Sequence, residues 1–192
     1  GSEITRPYIL FSADQGDTWS IFGEDVPMPA GYKDLKRFVL ETSPANPDLL
    51  YVHGHIVGDD DNDTGRILIY DHVLQTWAHN ILADDVFTGK ETAFAVSPLD
   101  ANEAAISNDE IHAKKMTDLI NFSSTEFWSW NDYHVDVEAI EYSPSGDAIW
   151  LITHGGPYKY DATTGTIYDK VEGIGNAETL GFSSSPTKSD RI

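Results

Sequence analysis

His53 and His55 stand two residues apart, as do His134 and Asp136, and residues at that spacing on a strand project from the same side. An imidazole beside another imidazole or a carboxylate can ligate a divalent metal or hydrogen-bond a sugar. Asn108, Asp109 and Glu110 form a further polar run, and His154 precedes the pair Gly155 and Gly156. Trp130 and Tyr133, just before His134, add flat surfaces with polar edges of the kind that stack on ligands. His55, Trp130, Tyr133, His134 and His154 are therefore the candidate ligand-binding residues. The structural alternative is that the histidines cap loop carbonyls and the aromatics pack inside the fold.

A second constellation lies in GDDDNDTGRILIYD, where Asp60, Asn62, Thr64 and Gly65, with Asp71 at the twelfth position, mimic an oxygen-ligand calcium loop. The match is imperfect, because Thr64 replaces a carboxylate, Leu68 occupies the ninth position and the flanking segments read as strands. Calcium is the one cofactor this pattern suggests, and nothing requires it; the alternative is a solvated acidic hairpin. For catalysis, Asp136, Glu138 and Asp109 are available to a glycosidase of the two-carboxylate kind, but no spacing selects a pair. A carboxylate-clamping site needs several arginines, and the chain has Arg6, Arg37, Arg66 and Arg191. The expectation is a protein that binds rather than catalyses, with no assigned catalytic residue.

The elements that would position these groups follow from one phrase written four times: an apolar run ending in Ser-Pro, a short polar turn, and a second apolar run. The copies are Phe38 to Tyr51 (FVLETSPANPDLLY), Ala93 to Ile106 (AFAVSPLDANEAAI), Ala139 to Ile152 (AIEYSPSGDAIWLI) and Leu180 to Ile192 (LGFSSSPTKSDRI). Their prolines stand at 44, 98, 144 and 186, a spacing that fits one four-stranded propeller blade of roughly 40–50 residues. Each copy reads as a hairpin with the proline in its turn, where a missing N–H costs no ladder bond. Second hairpins are expected between the copies: Arg66 to Tyr70 with Thr76 to Asn80, Asp118 to Phe122 with Phe127 to Trp130, and Tyr158 to Tyr160 with Thr166 to Lys170. Tyr8 to Ser12 and Thr18 to Phe22 form one more outer hairpin.

The reading is an all-β propeller of four-stranded antiparallel blades within one domain over 1–192: an outer hairpin at 8–22, three blades at 37–80, 92–130 and 138–170, and the start of a further blade at 179–192. About four blades' worth of chain is present, and part of a larger ring is favoured over a closed four-bladed one. Another chain or segment would then complete the ring.

One local motif is specific. Ser12 to Trp19 reads SADQGDTW, fitting Ser-x-Asp-x-Gly-x-Thr-Trp residue for residue. Asp14 is expected to accept turn amides, Gly16 to take positive φ, Thr18 to return the chain to a strand, and Trp19 to pack between blades. On Ser12, Asp14, Gly16, Thr18 and Trp19 the chain resembles the Asp-box, or BNR-repeat, propellers, a superfamily of sialidases, xyloglucanase-like glycosidases, sortilin-type receptors and a photosystem assembly factor. HVDVEAIEYSP followed by HGGPYKYDATTG resembles a phrase of bacterial secreted members. The resemblance implies the propeller fold, an Asp box on the face opposite the ligand site, and an extracellular, cell-surface or periplasmic location. It does not choose among hydrolase, receptor and assembly factor.

Composition bounds the partners. With 40% hydrophobic residues the chain can build a core, and 11% aromatics with evenly spread turn residues favour strands. A formal net charge of −20 repels phosphate backbones, so nucleic acid is not an expected partner. No run approaches 18 apolar residues, so no membrane insertion is expected. Cysteine is absent, which excludes disulfides and thiolate zinc sites. The expected partner is a protein or glycan.

Overall fold

The structure is a computed structural model that describes residues 9–22, 32–58, 63–83, 93–107, 113–121, 137–153 and 155–170. Every regular element among them is a strand. In chain order these are β1 (Ile9–Phe11), β2 (Ser20–Phe22), β3 (Tyr32–Ser43), β4 (Asn46–Gly58), β5 (Asp63–Asp71), β6 (Thr76–Ala83), β7 (Phe94–Val96), β8 (Ala104–Ser107), β9 (Ala113–Met116), β10 (Val137–Tyr142), β11 (Ala148–Thr153), β12 (Gly156–Asp161) and β13 (Ile167–Lys170). They form antiparallel sheets in sequence order: β1-β2, β3-β4-β5-β6, β7-β8-β9 and β10-β11-β12-β13. No closed ring is formed among the described residues.

Pro44, Pro98 and Pro144 sit where the repeated phrase puts them, in the turns joining β3 to β4, β7 to β8 and β10 to β11. The serine before each proline does more than the spacing reveals. Ser43, Ser97 and Ser143 are all buried, and each hydroxyl accepts a backbone N–H of its own turn, from Ala45 at 3.1 Å, Leu99 at 3.3 Å and Ala148 at 3.0 Å. Ser43 Oγ also donates to the Ser97 carbonyl at 2.6 Å, tying the first four-stranded sheet to its neighbour. A serine at each of these positions satisfies backbone groups that burial would otherwise leave unpaired.

The turns after the third strand of each sheet repeat as well. The amides of His72, Leu119 and Ala162 donate to the carbonyls of Asp48, Asn102 and Asp147 at 2.8, 2.8 and 2.9 Å. These main-chain bonds fasten the second turn of each sheet to its Ser-Pro turn, so both turn types share one end of the molecule. Just before each amide an aspartate folds its turn: Asp71 accepts Leu74 N at 2.8 Å, Asp118 accepts Asn121 N at 3.1 Å, and Asp161 accepts Thr164 N at 2.7 Å. The expected strand at Asp118 to Phe122 is thereby corrected. The third strand of the second sheet is Ala113–Met116, and Asp118 opens a turn held by its bonds to Asn102 and Asn121. The expected partner at Phe127 to Trp130, and the phrase at Leu180 to Ile192, lie outside the described residues.

Four residues after Asp71, Gln75 adopts φ 53°, and the equivalent position after Asp161 is Gly165 at φ 68°. A side chain at such an angle costs roughly 1 kcal/mol that glycine avoids. Gln75→Gly is expected to stabilise the protein by about 0.5 kcal/mol after the extra freedom of the unfolded chain is deducted, readable as a higher urea midpoint with unchanged slope.

The sheets stack face on face. On β4 and β5, Val52 and Leu68 face the β1-β2 hairpin and pack with Ile9, while Tyr51, Ile67 and Ile69 face the second sheet and pack with Phe94, Val96 and Ile106. The second sheet alternates in turn. Ala104 and Ile106 point to the first sheet, and Ala105 points to the third, where small Ala93, Ala95 and Ala105 leave room for Tyr142, Tyr158 and Tyr160. Side-chain period two thus gives every central strand two buried faces.

The SADQGDTW turn links β1 and β2. Asp14 accepts Thr18 N at 2.8 Å, Thr18 Oγ1 at 2.6 Å and Ser12 Oγ at 2.8 Å, and Gly16 holds φ 101°. Trp19 departs from expectation. It is 60% exposed and folds back over its own turn, with Nε1 donating to the Gly16 carbonyl at 3.0 Å, rather than packing between sheets. Those donors hold the Asp14 carboxyl at about 2. The contribution of this turn is therefore complete above the ordinary carboxyl range and is lost as pH falls through about 2. The protection factor of the Thr18 amide, its exchange rate relative to an unstructured peptide at the same pH, should fall on acidification through that window, and in Asp14→Ala it should be low at every pH.

Candidate functional site

The innermost strands β3, β7 and β10 lie side by side, with β7 touching both of the others. Their Ser-Pro ends enclose a cavity of ≈ 220 Å³. Two residues before each buried serine stand Glu41, Ala95 and Glu141, and all three line it, together with Val96 and the prolines 44, 98 and 144. The walls are otherwise apolar, apart from Thr42, Tyr142 and Ser143.

Both glutamates are half-buried. Burial pushes the Glu41 carboxyl up to about 8, with the charge of Glu141 adding to the effect. Burial likewise raises Glu141. Two acids sharing one desolvated space cannot both ionise cheaply, so the last proton is retained into the neutral range. At neutral pH the pair therefore offers a proton donor and a carboxylate acceptor together. That arrangement can bind a hydroxyl group, or serve as an acid and base.

Around this cavity the sheets are cross-tied by polar side chains. Tyr51 Oη donates to the Ala101 carbonyl at 2.7 Å, and its phenol, pushed up to about 12 by burial and then by Asp100, stays neutral. Lys115 Nζ pairs with Glu103 at 2.7 Å and donates to the Ala162 carbonyl at 2.9 Å, joining the second and third sheets. Tyr142 Oη approaches Glu103 at 3.4 Å. A second, apolar groove of ≈ 320 Å³ runs along the seam between the β1-β2 hairpin and the first four-stranded sheet, between Phe11, Leu40, Leu50 and His72.

The glutamate pair was not singled out by motif, although Glu-x-Ser-Pro occurs in two copies of the repeated phrase and marked it. The expected residues fall elsewhere. Asp136, Asp109, Trp130, Tyr133, His134, His154, Asp60 and Asn62 lie outside the described residues. His55 is on β4 in register with Arg37 and Gly65, and Thr64 is on β5 opposite Ile56; their side chains are likewise outside. Glu138 sits half-buried at the β10 bulge, away from the Ser-Pro end. His53, expected to project with His55 toward a ligand, is fully buried, its ring 5.5 Å from that of Phe94 between two sheets.

Of the twelve-position pattern over 60–71, Asp60 and Asn62 lie outside the described residues, and Thr64 and Asp71 fall on β5. Residues 63–71 run straight between β4 and β6, which separates Thr64 from Asp71 by about 23 Å at strand rise. Asp71 is engaged instead in its own turn. Among the described residues no group of three or more His, Asp or Glu side chains converges as a metal site.

No protein-family model matches the chain, and no curated protein matches it in sequence. Solved structures do. A Niastella koreensis GH74 enzyme, a β-propeller glycoside hydrolase, superposes with a TM-score of 0.51 at 17% identity over 71% of this chain. Apo AztD from Citrobacter koseri aligns with a TM-score of 0.49 at 12% identity over 88% of this chain. The chain spans 22% of the length of the first and 42% of the second. The molecule is thus an all-β protein of antiparallel, mainly four-stranded sheets with propeller-like neighbours.

Proposed function

We propose that this chain is a non-enzymatic, exported propeller module that binds a protein or a glycan through the loops opposite its Ser-Pro turns, and that it forms part of a larger ring. The observation that supports this reading is directional. β4, β8 and β11 all run away from the fastened turn end, so their last residues, Gly58, Ser107 and Thr153, stand at the other end of their sheets. Loops on a rigid scaffold are where recognition residues concentrate. His55, Trp130, Tyr133, His134 and His154 are the residues assigned to it. Binding of soluble glycans, measured by array and then by calorimetry, should weaken about tenfold or more in Tyr133→Ala or His154→Ala, the loss of one well-placed polar or stacking contact. Blank arrays together with no heat from any glycan leave the protein-partner arm, read by cross-linking to a recovered partner that the same variants abolish. Calcium at Asp60 and Asn62 is not required by this reading, and calorimetric titration with calcium tests it directly.

A glycoside hydrolase is the second reading, favoured by one observation: Glu41 keeps its proton into the neutral range beside Glu141, the state a general acid needs. Release of reducing ends from xyloglucan or β-glucan, abolished in Glu41→Gln but retained in Asp136→Ala, would replace the binding module with an enzyme.

A further inference from the structure

We propose that Glu41 and Glu141 form a proton-operated latch across the cavity at the Ser-Pro ends: with one of them neutral the strands β3, β7 and β10 close on one another, and with both ionised the Ser-Pro mouth loosens and admits water. The inference stands on placement. The two carboxyls come from different sheets, at register-equivalent positions two residues before a buried serine, and meet in one cavity whose shared wall, β7, supplies only Ala95, Val96 and Pro98. No cationic side chain lines that cavity among the described residues.

Three ionisable groups near the pair, among the described residues, are engaged elsewhere. Opposite Glu41 on β4 stands Tyr51, committed to the Ala101 carbonyl and close to Asp100. Opposite Glu141 on β11 stands Trp150, with Lys159 of β12 over its ring at 5.3 Å and acting on Asp147. From the second sheet, Glu103 is taken by Lys115 and Tyr142. Among the described residues nothing at the mouth therefore compensates a second negative charge, and repulsion between the two sheets acts on the strands that carry it.

The direction in pH follows from the raised carboxyls. The native state keeps a proton between 4.5 and about 8 that the unfolded chain has already released, so the pair's contribution is complete at the acid end of this window and falls as pH rises through it. Ordinary carboxylates are ionised well before neutrality, so a carboxyl signal with a midpoint near 8 is distinct from theirs.

The test is carbon-13 NMR of side-chain-labelled glutamates in the intact chain, titrated from pH 5 to 9, with the solvent accessibility of the Val96 methyls read by a paramagnetic co-solute at each step. The expected result is one glutamate carboxyl with a midpoint near 8, a rise in Val96 accessibility with the same midpoint, and a fall of the Glu41 midpoint by a pH unit or more in Glu141→Gln. In Glu41→Gln the melting temperature between pH 7 and 9 should become flat, where the parent falls by about 5 °C. An ordinary carboxyl midpoint for Glu41, a midpoint unmoved by Glu141→Gln, or Val96 accessibility independent of pH would overturn the latch. The first and third readouts need only the parent protein, so a variant that failed to fold would leave the proposal decidable.

Discussion

Replacing Phe94 by alanine is expected to lower the free energy of unfolding by about 3–5 kcal/mol, the range for a large aromatic removed from a packed interior. The ring is 1% exposed and lies between sheets rather than within one. It packs on Tyr51, Ile67 and Ile69 of the first four-stranded sheet from a strand of only three residues, and sits beside the His53 ring. A short β7 contributes few ladder hydrogen bonds, so this contact is a large part of what holds the strand against the first sheet. Urea unfolding followed by tryptophan fluorescence should show the lowered midpoint. Phe94→Leu should recover roughly half the loss, because the seam is apolar and tolerates a smaller side chain better than a void. Equal stability of the alanine variant and the parent would mean that the sheets do not depend on the seam.

The second large effect is expected at Lys115. Its ammonium is bonded at once to the Glu103 carboxylate and to the Ala162 carbonyl, and the two acidic and basic side chains are only 20% and 15% exposed. Lys115→Met removes the charge while keeping most of the stem. It leaves Glu103 beside the Tyr142 hydroxyl without its cation, a partly buried charge whose exposure discounts the full penalty to about 2 kcal/mol. Adding Glu103→Gln should return about 1 kcal/mol of that loss, since the stranded charge then disappears. A double-mutant cycle by urea denaturation measures both figures. Strictly additive losses would show that the pair is a surface contact with no role in joining the second sheet to the third.

Several elements were legible because a single residue type dictates them. Proline cannot donate to a ladder, so Pro44, Pro98 and Pro144 announced turns, and the strands on either side followed. The SADQGDTW turn was equally readable, since Asp14, Gly16 and Thr18 each have one local task. What escaped depends on neighbours distant in sequence. Asp118 to Phe122 looks apolar enough for a strand, yet Asn102, sixteen residues away, captures Asp118 and turns the chain. Trp19 was expected between sheets because large aromatics commonly are, but its indole N–H finds the Gly16 carbonyl first.

The candidate site was less legible than the fold. A glutamate two residues before Ser-Pro has no meaning in one strand; it acquires one when a second sheet brings its own copy into the same cavity. Repeats make such coincidences systematic, because a position copied in each unit returns at the same end of each sheet. The histidines, by contrast, were chosen for their chemistry alone, and His53 proved to be core.

The bonds from His72, Leu119 and Ala162 to the carbonyls of Asp48, Asn102 and Asp147 join main chain to main chain. A clasp built this way makes no demand on side-chain identity at its donor, which is why an imidazole, an isobutyl group and a methyl occupy one equivalent position. Units fastened by their amides are free to drift apart in sequence while keeping their shape. Proline is the one residue the bond itself excludes, since it alone removes the N–H; exposed His72 is otherwise free to vary, while buried Leu119 and Ala162 are also held by the core packing around them.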